Sequence, residues 1–110
     1  MHAVRQATIV DLDLLVPLFD AYRRFYRKAG DPDLARRFLL ERFQHNESIV
    51  FVAFDEGGSA VGFTQLFPSF SSASAARILI LNDLFVDPAA RRRLDSANRV
   101  PGLQSLPALN

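Results

Sequence analysis

The sequence predicts an α+β fold: a mostly antiparallel four-stranded sheet with two helices near its N-terminus. Three observations point there. Two stretches before residue 45 carry apolar residues at helical spacing. Three later stretches, 48–54, 61–70 and 77–86, are rich in β-branched and aromatic residues. Short turn-forming segments, "DEGGSA" and "SSASAA", separate those three, which is the pattern of a meander.

The elements follow in chain order. "AVRQA" (3–7) forms a short first strand. Thr8 then offers an N-cap, with Asp11 three positions on able to reach back to the cap amide. A start at Asp11 or Asp13 competes with it, because it brings Pro17 nearer the first turn, where proline is tolerated better. Leu15, Leu18, Phe19, Tyr22, Phe25 and Tyr26 follow the spacing of a buried stripe, and Asp13, Asp20, Arg23, Arg24 and Arg27 fall on other faces. Gly30, followed by Asp31-Pro32, is the expected stop. Asp33 is the expected cap of the second helix, "LARRFLLERFQ", whose apolar side is Leu34, Phe38, Leu39 and Phe43. His45, near its end, reads as a capping or surface residue.

"SIVFVAF" (48–54) reads as a strand buried on both faces. Gly57 and Gly58 permit positive φ in the hairpin that follows. "VGFTQLFPSF" (61–70) returns antiparallel, with Pro68 marking an edge, a bulge or the strand's end. "RILILNDLFV" (77–86) is the fourth strand. Beyond it, prolines at 88, 101 and 107 and the lack of a sustained period leave room for one short helix at 89–94 and then irregular chain.

Composition narrows the function classes. With 110 residues, the chain makes at most one domain. Thirteen Lys and Arg against twelve Asp and Glu give a net charge of +1, which exerts no general pull on nucleic acid or an anionic membrane. There is no cysteine, and two histidines make a poor metal set, so no metal is expected. The N-terminus lacks the apolar core of a secretion signal, and no apolar run approaches a membrane span, so a cytoplasmic protein is the expectation. The run Arg91, Arg92, Arg93 reads as a solvated turn rather than a nucleic-acid contact, and Phe51, Phe63 and Phe67 as core.

Asn82 and Asp83 interrupt an otherwise apolar strand. Polar groups there are costly unless they are partnered or lie at a bulge or cleft. Tyr22, Tyr26 and Asp31 gather near the junction of the two helices, where core packing of the rings and a turn role for Asp31 are the simpler readings.

From Val4 to Arg93 the sequence resembles the N-terminal part of a GCN5-related N-acetyltransferase. The resemblance is carried by "VRQATIVDLDLL", by "SIVFVAF" with "AVGFTQL", and by "LNDLFVDPAARR", in that order and spacing. It implies an incomplete acyl-CoA N-acyltransferase fold over residues 1–93, followed by a divergent, irregular tail at 94–110. It also implies acetyl-CoA as co-substrate, with its pantetheine arm pairing along Leu84, Phe85 and Val86 and its phosphates near Arg91, Arg92 and Arg93. Asp83, with Asn82, is placed to accept a proton from the acceptor, a small amine lined by Tyr22, Tyr26 and Asp31.

The resemblance departs at the loop that wraps the pyrophosphate. Leu94 and Ser96 stand where glycine, and glycine or alanine, are wanted, and Asp95 lies between them. A Cβ there costs about 1 kcal/mol or more in left-handed geometry. The match stops sharply at Arg93, which favours an out-of-frame or truncated ending over a natural divergent one. The expected function is therefore acetyl transfer, impaired in this form. The competing expectation is a non-catalytic fragment that forms homo-oligomers or binds a partner through uncovered sheet surface.

Overall fold

The computed structural model describes residues 3–91. Strand β1 (Ala3–Gln6) leads through a single 3-10 turn (Ile9–Asp11) into helix α1 (Leu12–Phe25) and helix α2 (Pro32–Gln44). Strands β2 (Ile49–Phe54), β3 (Ala60–Ser71) and β4 (Ala76–Val86) follow. The sheet order is β1-β2-β3-β4 with every neighbouring pair antiparallel. The α+β architecture expected from the sequence is the one observed. Among the described residues no helix is long and apolar enough to cross a membrane.

Both competing helix starts are used. The Thr8 N–H donates to the Asp11 carboxylate at 2.8 Å and opens the 3-10 turn, and Asp11 then stands at the cap position of α1. The same carboxylate, only 4% exposed, takes a forked pair of hydrogen bonds from the Arg5 guanidinium at 2.8 and 2.7 Å. That fork pins β1 to the helix entry.

Arg5, aided by the Thr8 amide, outweighs the effect of burial and pulls the Asp11 carboxyl down to about 2. A depressed carboxyl stabilises the fold above its unfolded pKa, and this stabilisation drains as pH falls from about 4 to 2. Because Arg5 is half exposed, screening limits it to about 1 kcal/mol. Asp11→Asn should therefore lower stability by about 1 kcal/mol at neutral pH and flatten the acid limb. Urea titrations of both chains at neutral and acid pH check this; an unchanged acid limb would assign the effect elsewhere.

The first helix ends earlier than expected. Arg27, not Gly30, takes the left-handed position, at φ 62°. The Arg27 and Lys28 N–H groups close the end by donating to the carbonyls of Arg24 (2.9 Å) and Arg23 (3.0 Å). Asp20, expected on an outer face, is 6% exposed. It accepts from the Asp31 N–H at 2.7 Å and pairs with Arg24 at 3.2 Å, which folds the connection back over α1. Gly30 serves this contact instead: a Cβ there would lie 3.0 Å from Arg24 Cδ. Asp31, rather than Asp33, caps α2 by accepting from the Leu34 N–H at 3.1 Å, with Pro32 opening the helix. At its other end Asn46 takes the left-handed position, and His45 Nδ1 contacts the Glu41 carbonyl.

The register places Val52, Phe63 and Phe85 on one face of the sheet, beside Val50, Gln65 and Asp83. Both helices cover that face: Leu15, Val16, Leu18 and Phe19 of α1 and Ala35 and Leu39 of α2 share one core with Val50, Val52, Phe63 and Phe85. On the other face Ala53 packs with Val4 and Val86, while Ile49 and Phe51 are half-buried. The expectation of burial on both faces of β2 thus holds only around Val50, Val52 and Ala53, because the helices lie on one side. The α1 stripe is also shorter than the spacing suggests. Phe25 and Tyr26 are exposed, since the helix stops beneath them.

In the hairpin turn only Gly58 uses positive φ (87°). Pro68 lies inside β3 but beyond the last β2 pair, Ile49 with Leu66, where β3 has a neighbour on one side only. From there β3 and β4 continue as a two-stranded ribbon to the turn at 72–75.

Candidate active site

The site is built at an irregularity in the β3–β4 ladder. Gln65 faces Asp83, but the next residue, Leu66, faces Leu81, so Asn82 is an extra residue in β4. A bulge of this kind twists a strand and re-aims its side chains. Here it turns Asp83 towards the helix-covered face, where it is 4% exposed. Each carboxylate oxygen receives an amide donor: Gln65 Nε2 at 2.8 Å and Asn82 Nδ2 at 3.0 Å. The Asp83 carbonyl accepts from the Thr64 hydroxyl at 2.8 Å. The polar pair is therefore both partnered and at a bulge, which resolves the cost that the sequence raised.

Tyr22 of α1 lies on the same side: burial, and then the nearness of the Asp83 carboxylate, push its phenol well above its usual range. Its ring is held edge-on by Phe63 at 5.7 Å and Phe85 at 6.0 Å. Tyr26 lies 5.0 Å from Tyr22, 60% exposed. Asp31 stands at the start of α2 with its carboxylate committed to the cap.

Gln65 is the residue that sequence reasoning missed. It is fully buried, yet among the described residues its Oε1 has no hydrogen-bond partner. The only signal was one long polar residue in the middle of the apolar run "VGFTQLF".

Leu84, Phe85 and Val86 divide by alternation. The Asp87 N–H donates to the Val61 carbonyl at 2.8 Å, and the Phe85 carbonyl lies against Gly62, where an added Cβ would come within 2.8 Å of it. Residues 85 and 87 thus direct their main chain at β3, and Leu84 and Val86 direct theirs outward. Among the described residues no strand pairs with that outer edge. The outward edge fits an extended amide-bearing arm, as strand addition requires. Arg91 folds back, and its guanidinium donates to the Val86 carbonyl at 3.2 Å. Asp87 caps the helical turn at 88–91 through the Ala89 N–H at 2.9 Å. Arg92 and Arg93, the positions Leu94, Asp95 and Ser96, and the tail at 94–110 lie outside the described residues.

No family model matches the chain. Curated relatives do. It is 50% identical over 90 residues to an uncharacterized N-acetyltransferase of Bacillus subtilis, YhfO, covering 82% of this chain and 60% of that one. It is 43% identical over 76 residues to a probable acetyltransferase of Haemophilus influenzae, covering 69% and 52%. Among solved structures, a probable acetyltransferase superposes with a TM-score of 0.77 at 47% identity, covering 84% of this chain and 62% of that one. The chain thus spans between half and two thirds of the length of these relatives. On this agreement of sequence and fold, the chain belongs to the GCN5-related N-acetyltransferases, as an N-terminal portion of the domain.

Proposed function

We propose that this site serves transfer of an acetyl group from acetyl-CoA to a small primary amine. One observation carries the reading: a buried, doubly hydrogen-bonded carboxylate sits at a bulge in a strand whose outer edge, among the described residues, pairs with no other strand. Acetyl-CoA would supply the activated acyl group as a thioester. The Leu84 main chain and the Val86 N–H would hold its extended arm along β4, the Val86 carbonyl being taken by Arg91. Tyr22 would hold the amine nitrogen, and the Asp83 charge behind the phenol would stabilise the positive charge that grows there as the nitrogen bonds to the acyl carbon. The carbon–sulfur bond breaks as the amide forms, and the proton lost from nitrogen ends on the departing thiolate. One solved structural neighbour, a predicted acetyltransferase from Clostridium acetobutylicum at 12% identity, holds acetyl-CoA; at that identity it lends this chain the fold alone.

Calorimetry with acetyl-CoA tests the reading. Binding is expected, with a matching rise in Tm, and Leu84→Pro should abolish both by removing an outward N–H. The absence of heat and of any Tm shift at millimolar ligand would overturn it.

A second reading, a homo-oligomerising module, is favoured by one feature. Phe70, Ile78, Leu79 and Ile80 are exposed on the β3–β4 ribbon. Sedimentation separates the two: a compact monomer with no concentration dependence would rule against association.

A further inference from the structure

Two consecutive residues of β3 take hold of Asp83, one by its side chain and one by its main chain. Gln65 faces Asp83 in the ladder and Thr64 faces Leu84, so their side chains leave β3 on opposite faces of the sheet. On the helix-covered face Gln65 Nε2 donates to the Asp83 carboxylate at 2.8 Å. From the other face the Thr64 hydroxyl donates to the Asp83 main-chain carbonyl, also at 2.8 Å. Both residues are fully buried.

Packing alone would select neither of them. Their buried neighbours along β3, Val61, Phe63 and Leu66, are apolar. Among the described residues Gln65 Oε1 has no hydrogen-bond partner. Turning the amide round is no remedy, because Oε1 would then meet the Asp83 carboxylate and the Nε2 bond would be lost. A buried acceptor left bare costs stability, and an apolar side chain of the same length would fill the space without that cost. Thr64 likewise brings a hydroxyl where valine would match its shape. What both residues gain is Asp83, and the bulge gives that gain a purpose. The extra residue Asn82 interrupts the regular ladder, which otherwise sets the direction of a strand side chain. Side-chain hydrogen bonds restore the direction that the ladder no longer fixes.

Resting on the acetyl-transfer reading above, we propose that Thr64 and Gln65 are positioning residues: they lock the Asp83 side chain in one rotamer beside the bulge, so that its charge stays aimed at the reacting nitrogen.

The test uses the full chain and three variants. Gln65→Met removes the amide and keeps the length. Thr64→Val removes the hydroxyl and keeps the shape, and Thr64→Ser keeps the hydroxyl. Carbon and nitrogen couplings across three bonds to the Asp83 Cγ report its χ1 by NMR with no substrate present. One rotamer is expected in the parent and in Thr64→Ser, and averaging between rotamers in Gln65→Met and Thr64→Val. Circular dichroism checks that each keeps the fold; should one of the last two fail to fold, the other carries the test alone. Acetyl transfer is followed in parallel through the coenzyme A thiol released, against no thiol background because the chain has no cysteine. In Gln65→Met and Thr64→Val kcat should fall about tenfold, with KM for acetyl-CoA within about twofold of the parent, and Thr64→Ser should restore it. A role in stability alone would lower Tm and leave both the couplings and kcat in place. A single Asp83 rotamer in both Gln65→Met and Thr64→Val, averaging already present in the parent, or equal kcat in Thr64→Val and Thr64→Ser would overturn the proposal. Averaging in those variants of a chain that transfers no acetyl group would sink the transfer reading and leave the two-point grip standing.

Discussion

Replacing Phe63 with alanine should cost about 4 kcal/mol of stability. Phe63 is 2% exposed at the centre of β3, and its ring lies 5.9 Å from Phe19, 5.7 Å from Tyr22 and 6.3 Å from Phe85. It touches rings of both α1 and β4 from the middle strand β3. Truncation removes its transfer free energy and leaves a cavity that the helix cannot fill, because the Arg5–Asp11 fork and the Asp20 contacts anchor α1 at both ends. Phe63→Leu keeps most of the volume and should cost about 1.5 kcal/mol or less. Urea denaturation of the three chains gives both values. A loss below about 1 kcal/mol for alanine would mean that the helix face is not packed as described.

Asp83→Asn should slow acetyl transfer about 100-fold while leaving acetyl-CoA affinity within about threefold. The substitution keeps the shape and removes the charge. One of its atoms becomes an amide donor facing Gln65 Nε2 or Asn82 Nδ2, and Gln65 can relieve that clash by turning its unpartnered Oε1 inward. The structural penalty should therefore stay near about 1 kcal/mol. Steady-state kinetics alongside calorimetry separates the two effects. A rate within about threefold of the parent would remove Asp83 from the chemistry.

The strands were legible because their signals are local. "SIVFVAF" and "RILILNDLFV" have little alternative to extended chain, and "DEGGS" has little alternative to a turn. The helix ends were not, because tertiary contacts set them. Gly30 looks like a stop, but the buried Asp20 carboxylate draws the chain back earlier and forces Arg27 into a left-handed position that its type does not advertise. Asp31 and Asp33 are equally good caps by composition, and only the Asp31 N–H bond to Asp20 decides between them.

The site was half legible. Asp83 stood out as a charge in an apolar strand. Its partner Gln65 lies 18 residues away and becomes visible only with the register. Neither the bulge at Asn82 nor the exposure of Phe25 and Tyr26 leaves a local trace, because one is a mismatch between two strands and the other depends on where a helix stops.

The extra residue at Asn82 also resets the phase of β4. Below it, Leu79 and Leu81 keep step with Pro68 and Leu66; above it, Asp83 and Phe85 keep step with Gln65 and Phe63. The hairpin therefore holds two rulers, joined at one uneven mark. Lengthening or shortening the far ruler by matched pairs of residues would move the tip of the hairpin without rotating the carboxylate, so that arm is free to vary in reach while the chemistry at its root keeps its aim.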